Sequence, residues 1–460
     1  MKKIWSFLII SVFSWSVFAQ NTYSFSDLYS SMLANNPELL NLTEEYERSK
    51  LDVKDAYAGL GPTIDLQVSG TYMPNPPVDS IYVNVDDIIN SIQWPGGVKP
   101  AGTGQYVKVF DGMENTLYNF QLSMTQPIFT WGKLKNAIDL YKQVSEIKKT
   151  QIDSKQQQLE TELRTRLISL YYLNKINQII EEEKQYVERL VEVSENAEKS
   201  GMLLHQDVVD ARIQAKELEI AQQDLQEQIN NQLLELVRST GIDDLTYNTI
   251  DFDFSEDEVV SVIQENRDEM LEKALSGSQL TIKLLTQLKE VSNTSTKIAK
   301  GFENWKPDVA LQASATYGGS RVPLFEPNWQ RKDDYSINIS VGLKTTIWDG
   351  GKRLRDVSRK ISESKTADIN QLDARSSIRK TFNEQWNTAE VCTMKMEYQD
   401  LKIEACDSKI AQKETVFKTG YGSETDVLSA KIDRCNQQIE KEKQALTRAA
   451  ACMTIGHLCK

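Results

Sequence analysis

Five cysteines and a few carboxylates beside glycine turns are the residues of this chain with chemistry to offer. Cys392, Cys406, Cys435, Cys452 and Cys459 all lie in the second half of its 460 residues. Cys406 and Cys435 are equally distant from a midpoint near Gly420 and Tyr421, while Cys392 and Cys452 share a midpoint at Gly422. An antiparallel hairpin turning there would bring each pair level, so in an oxidising compartment Cys406–Cys435 and Cys392–Cys452 are candidate disulfides. Facing also requires rotation, and buried free thiols are the alternative. Cys459 has no counterpart. Asp207 and Asp426 each follow a turn and precede an apolar helix, which suits helix N-caps. His205 and His457 are the only histidines, and neither has metal-ligand spacing. Without a phosphate loop, nucleophile elbow or pocket-forming carboxylate pair, an enzyme is not expected, nor a cofactor or bound metal. His205 reads as an exposed turn residue.

These residues sit at matching places in a duplicated chain. Ile128-Phe129-Thr130-Trp131-Gly132-Lys133 returns as Ile347-Trp348-Asp349-Gly350-Gly351-Lys352, and Gly201 with Asp207-Val208 returns as Gly420 with Asp426-Val427. Both pairs share an offset of 219 residues. Equal offsets leave no net insertion between them, as long helices in register require. The repeats run 20–242 and 243–460. Within them Lys133–Lys199 and Lys352–Lys418 lack Pro and Gly and carry apolar residues at helical spacing. Each such helix would extend about 100 Å, so each is expected to be one arm of a coiled-coil hairpin, 133–240 and 352–455. Gly201, Met202 and Leu203 form one tip, Gly420, Tyr421 and Gly422 the other. An acidic connector, 243–258, leads into the second repeat.

Elsewhere the period changes to two. Ile64, Leu66, Val68, Gly70 and Tyr72 alternate with Thr63, Asp65, Gln67, Ser69 and Thr71, and segments beginning near Tyr118, Asp308 and Tyr335 repeat the pattern. Four strands of about ten residues, in hairpins 63–128 and 308–348, suit a bilayer crossing. Tyr72, Tyr118, Tyr317 and Tyr335 gather at the ends joined by the hairpin loops, with Phe129, Trp131, Trp305 and Trp348 at the other ends. Two aromatic girdles around an apolar band are expected of a wall facing outer-membrane lipid. A soluble β-sandwich with one buried face is the competing fold. The longer first loop, 73–116, is expected to be extracellular and mobile.

The first residues, Lys2-Lys3, an apolar run to Phe18 and Val17-Phe18-Ala19, read as a secretory signal peptide, 1–19. Its removal takes the formal charge from −13 to −15, which gives no support to nucleic-acid binding. Four strands leave two open edges, and hydrocarbon tolerates none. Two chains would close eight strands and three would close twelve; physics alone leaves that choice open.

Signal peptide, Asn36-Pro37-Glu38, the strand running into Gln126-Pro127-Ile128-Phe129, the duplicated Gly-Lys turns and the two tips together resemble the TolC-type outer-membrane efflux proteins. The resemblance covers essentially the whole mature chain, through order and duplication more than through one motif. It implies a mixed α and β membrane protein: a homotrimer with a twelve-stranded transmembrane β-barrel, four strands per chain, continuous with a long periplasmic α-helical coiled-coil barrel. It further implies a passive channel of a tripartite efflux pump or type I secretion system, with a periplasmic adaptor protein and an inner-membrane transporter as partners. By the same resemblance the tips contact the adaptor, and Asp207, Asp210 and Asp426 line an aperture gate. Ser429 and Gly422 depart from the family pattern, which puts a salt-bridge latch in doubt. The rival class is a structural one, a coiled-coil periplasmic spacer or adhesin with a soluble β cap.

Overall fold

The structure, a computed structural model, describes residues 22–75, 79–97, 99–110, 112, 115–252, 255–276, 279–303, 306–319 and 335–460. The signal segment and Trp305 lie outside these. In chain order the elements are α1 (Phe25–Asn35), α2 (Pro37–Ala58), β1 (Thr63–Tyr72), β2 (Ile81–Asn84), α3 (Val85–Ser91), β3 (Tyr106–Phe110), β4 (Thr116–Phe129), α4 (Lys133–Lys199), α5 (His205–Thr240), α6 (Glu256–Val260), α7 (Arg267–Ala274), α8 (Leu280–Glu303), β5 (Asp308–Gly319), β6 (Tyr335–Lys344), α9 (Lys352–Lys418) and α10 (Glu424–Cys459). No helix among the described residues is long and apolar enough to cross a membrane.

Two compact units emerge, and the long helices pass through both. One holds residues 49–144 and 291–364. Its four strands pair antiparallel in the order β1-β4-β5-β6. The register sets Leu66 against Leu122, Leu122 against Ala315 and Ala315 against Ile337, so the apolar residues of all four strands share one face. A slip of one residue would scatter them over both. That face is open: Ile64, Leu66, Val68, Ile337, Ile339, Val341 and Leu343 are all exposed. Strands β1 and β6 are the sheet's edges. The first hairpin loop, read from sequence as a mobile loop, instead carries β2 and β3 as a separate two-stranded ladder, with α3 following β2. Asp86 organises it by accepting from the N–H groups of Thr103, at 2.7 Å, and Gly104, at 3.0 Å.

The other unit holds residues 1–48, 145–290 and 365–460. Its main core runs along α4, where Leu159, Leu163, Leu167, Leu170, Ile176 and Ile180 bury against Leu28 and Met32 of α1 and Leu225, Ile229 and Leu236 of α5. Local chemistry fixes the ends. Ser24 and Asp27 form a reciprocal capping box on α1. Gly241 adopts φ 72° to end α5, and the last carbonyl of that helix, on Thr240, accepts from Ser31 and Asn35 of α1. A second core stacks Phe382 on Trp386 of α9, ring centroids 5.5 Å apart, with Met270 of α7 and Ile455 of α10 packed around them. The acidic connector docks rather than floats: Glu256 accepts from Tyr171 and pairs with Lys175 on α4. Helix α10 continues to Cys459, beyond the sequence-derived end near residue 455, because Ile455 remains fully buried in that core.

Candidate functional site: the helical hairpin tips

The two tips are built alike. Helix α4 ends with Gly201 at φ 72°, its N–H donating to Glu198 O at 2.8 Å while Met202 N–H reaches back to Ala197 O at 2.8 Å. Helix α9 ends with Gly420 at φ 81°, its N–H on Phe417 O at 2.9 Å and Tyr421 N–H on Val416 O at 3.2 Å. All four positions differ by the same repeat offset. Glycine is required because the terminating residue is left-handed. Gly422 differs in kind: its φ is ordinary, but a Cβ there would stand 3.1 Å from Phe417 N and Val416 Cγ1. Met202, Leu204 and Tyr421 are left exposed, Tyr421 at 91%. Leu203 is half-buried.

The carboxylates occupy the first turns of the return helices, but not as N-caps. The caps are Leu204 and Ser423, which makes Asp207 and Asp426 the third helical residues. Asp207 Oδ2 accepts from Leu204 N–H at 3.0 Å, the reach-back half of a capping box. Asp426 instead pairs with Lys413 across its own hairpin, at 3.4 Å, and Ser423 Oγ accepts from Thr425 N–H at 3.1 Å. Asp210 accepts from Gln206 at 2.8 Å. All three carboxylates are exposed, and Asp207 and Asp426 sit in the first turn, where the helix dipole favours anions. His205 is exposed and 2.7 Å from Glu198.

The sequence reading missed a contact between the hairpins. Arg189 of α4 donates to Glu424 at the start of α10, Nε to Oε1 2.9 Å, above a small core in which Val187, Leu190 and Ala211 meet Leu428 and Ile432. Along the second hairpin, Arg434–Asp407, Lys409–Asp433 and Lys441–Asp400 lace α10 to α9. Arg212 likewise holds the Glu195 carboxyl below the usual carboxylate range by hydrogen bond and charge. Such exposed pairs mark register more than stability.

That register bears on the two disulfide expectations. All five cysteines are free: Cys392, Cys435 and Cys452 buried, Cys406 and Cys459 half-buried. Cys406 and Cys435 are level, as the ion pairs flanking them show, but differ in burial. Cys435, fully buried, sits among Glu182 and Glu183 of α4, and burial with those carboxylates pushes its thiol up to about 12. Cys392 and Cys452 differ: both are buried in one hairpin, both near Arg448, and close enough for Cys392 to help raise the Cys452 thiol to about 11, burial being the larger cause. Mild oxidation of the purified protein is expected to consume two thiols as a Cys392–Cys452 disulfide, with Cys392→Ser abolishing the loss. Peptide mapping that finds Cys406 joined to Cys435 would contradict this.

At the strand ends, Tyr72, Tyr335, Phe129, Trp131 and Trp348 are exposed. Tyr118 is an exception, 9% exposed, because its ring lies 6.1 Å from Phe120 and 6.2 Å from Tyr317. Trp131 holds a left-handed φ of 54°, followed by Gly132 at 79°, and the duplicate positions Gly350 and Gly351 do the same at 63° and 77°. The Trp131 indole N–H donates to Pro307 O at 2.9 Å, which offsets part of the roughly 1–2 kcal/mol that this conformation costs a residue with Cβ. The adjoining Lys133 reaches Asp308 at 2.9 Å.

With this geometry in view, comparison with known proteins is informative. The sequence profile described as "Outer membrane efflux protein" matches residues 28–242. No curated protein sequence matches significantly. Among solved structures, the outer membrane protein VceC from Vibrio cholerae superposes with TM-score 0.70 at 15% identity, over 94% of this chain and 95% of that one. The outer-membrane channel OprN gives 0.71 at 12%, over 95% and 89%, and CusC gives 0.68 at 12%, over 95% and 91%. At such identities the structures testify to fold, and the fold is shared over almost the entire chain. Residues 28–242 match the outer membrane efflux protein family, and the shared fold extends over almost the entire chain.

Proposed function

We propose that the chain is a passive export channel of the bacterial outer membrane, assembled as a homotrimer whose helices extend into the periplasm. The observation that carries this reading is the four-stranded sheet with one continuous apolar face and two unpaired edges, β1 and β6. In hydrocarbon every edge N–H and C=O must find a partner, and only further copies of the same sheet supply it. Three copies give the twelve-stranded barrel that the family resemblance implies.

The helices support the same closure. On α9, Val391, Met394, Tyr398 and Leu401 are exposed at alternating spacings of three and four, the a/d pattern of a coiled coil without its partner. On α5, Ile213, Ile220 and Leu234 are exposed at heptad-related positions. Helices α4 and α10 already meet within the chain, leaving α5 of one protomer to pack on α9 of the next. Ile220 stands nineteen residues from Gly201, and Leu401 nineteen from Gly420, so the stripes lie at one height. The channel would dock through its tips to a periplasmic adaptor, in a tripartite pump or a type I secretion system, with energy drawn from an inner-membrane transporter.

Heat-modifiable migration of an outer-membrane-fractionated trimer, together with conductance in planar bilayers, is the test. A folded, soluble monomer that leaves bilayers intact would overturn it.

A further inference from the structure

Along α4 the residues buried between the hairpins are spaced as a heptad stripe: Ile176, Ile180, Glu183, Val187, Leu190, Ser194. One of these is a carboxylic acid. Glu183 is 4% exposed, and its Oε2 is buried without a hydrogen-bond partner among the described residues. It lies between two apolar cores, one containing Ile180, Leu225, Ile229 and Ile439, the other Val187, Leu190, Ala211, Leu428 and Ile432. It therefore sits where α4 meets both its own return helix α5 and the second hairpin's α10.

Among the described residues, no cation pairs with it. From α10 the neighbour is Cys435, fully buried; the adjacent Arg434 is committed to Asp407 of α9 at 2.6 Å. On α5, Gln222 accepts from Lys184 and donates to Glu181, and Glu219 is paired with Lys216 at 2.5 Å. On α4 itself Glu182 accepts from Tyr186 Oη at 2.8 Å. An unpaired carboxylate so placed is costly, whereas the neutral acid is only a polar group in a packed stripe. Burial alone pushes Glu183 up to about 7.

We propose that Glu183 makes the seam between the two helical hairpins of each protomer proton-sensitive, packed when its carboxyl is neutral and loosened when it is ionised. The sign follows from linkage. A carboxyl raised from 4.5 to about 7 in the packed seam leaves packing undisturbed at pH 4.5 and below. Packing is progressively disfavoured as pH rises from there towards 7, and the penalty is constant above that. The full span bounds the bias at roughly two orders of magnitude in the packed-to-loosened ratio. The periplasm exchanges protons with the medium, so the window is one the protein would meet. This inference deepens the channel reading, since the seam belongs to the tube.

The test is amide hydrogen exchange of the full-length assembled protein, wild type against Glu183→Gln, over residues 176–194 of α4 and 428–439 of α10. Taking the ratio at each pH removes the intrinsic pH dependence of exchange. Wild type is expected to match the variant near pH 4, exchange about tenfold faster or more by pH 7, and hold about that ratio to pH 8.5. Should Glu183→Gln not assemble, Glu183→Leu, which fits an apolar stripe, replaces it. A ratio that stays flat across pH overturns the proposal. Protein that conducts but shows a flat ratio loses the switch and keeps the channel; protein that shows the ratio but never conducts keeps the switch and loses the channel.

Discussion

Trimers carrying Asp207→Asn, Asp210→Asn and Asp426→Asn together are expected to lose most of their cation selectivity, the reversal potential in a salt gradient falling close to zero. Threefold repetition would turn three exposed carboxylates into three rings of like charge at one end of the tube. A ring of carboxylates concentrates cations and repels anions, and each charge at contact distance contributes about 1 kcal/mol in water and several times that in a narrower, less polarisable passage. Selectivity should therefore change by about tenfold or more. Asparagine is the informative replacement. Its amide oxygen can still accept the Leu204 N–H that Asp207 Oδ2 holds, so the start of α5 is kept while the charge is removed. Asp207→Ala removes both, and should additionally cost about 1 kcal/mol of stability through the lost cap. If the asparagine trimer retains the selectivity of wild type, the carboxylates are helix-terminal residues and nothing more.

The second large effect concerns assembly. Ile220→Glu with Leu401→Glu is expected to abolish the trimer, read as mass by light scattering in detergent. Both side chains are open to solvent in the single chain, at 59% and 66%, so neither replacement disturbs the fold of one copy. Across a closed seam the two residues would bury their side chains, and placing two like charges there opposes every one of the three seams at once. Ile220→Glu with Leu401→Lys supplies opposite charges at the same height and should restore part of the assembly. Trimers of undiminished stability in the double glutamate variant would show that α5 and α9 are not the surfaces that meet.

Much of this architecture is legible in the sequence, for a definite reason. The bounds of α4 and α9 fall at Lys133–Lys199 and Lys352–Lys418, as read from sequence, because a long apolar period free of Pro and Gly is specified by every residue within it. Strand β1 likewise coincides with Thr63–Tyr72, since alternation and a flanking Pro leave little choice. What depends on rotation or on distant partners is not legible. Cys406 and Cys435 are level by counting, but the side of α10 that carries Cys435 is set by α4, more than two hundred residues away. Asp207 passes for an N-cap until the first helical residue is fixed, and three positions separate the two roles. Glu183 was visible as a break in a heptad stripe, though only burial from two further helices gives the break a meaning. The stripe on α9 is open to the same counting, but only its exposure marks it as a seam.

The joints between strand and helix finally distinguish the two halves of the molecule. In the second repeat the chain turns through Gly350 and Gly351, with Asp349 accepting from the N–H groups of Gly351 at 3.0 Å and Arg353 at 3.1 Å, and Arg355 donating to Gly350 O at 3.0 Å. In the first it turns through Trp131 and Gly132, with the indole tied to Pro307 and Lys306 stacked on the ring at 4.8 Å. The first joint is thus tied across the repeats, to the residue that precedes β5, whereas the second is held chiefly by the first turn of its own helix, α9.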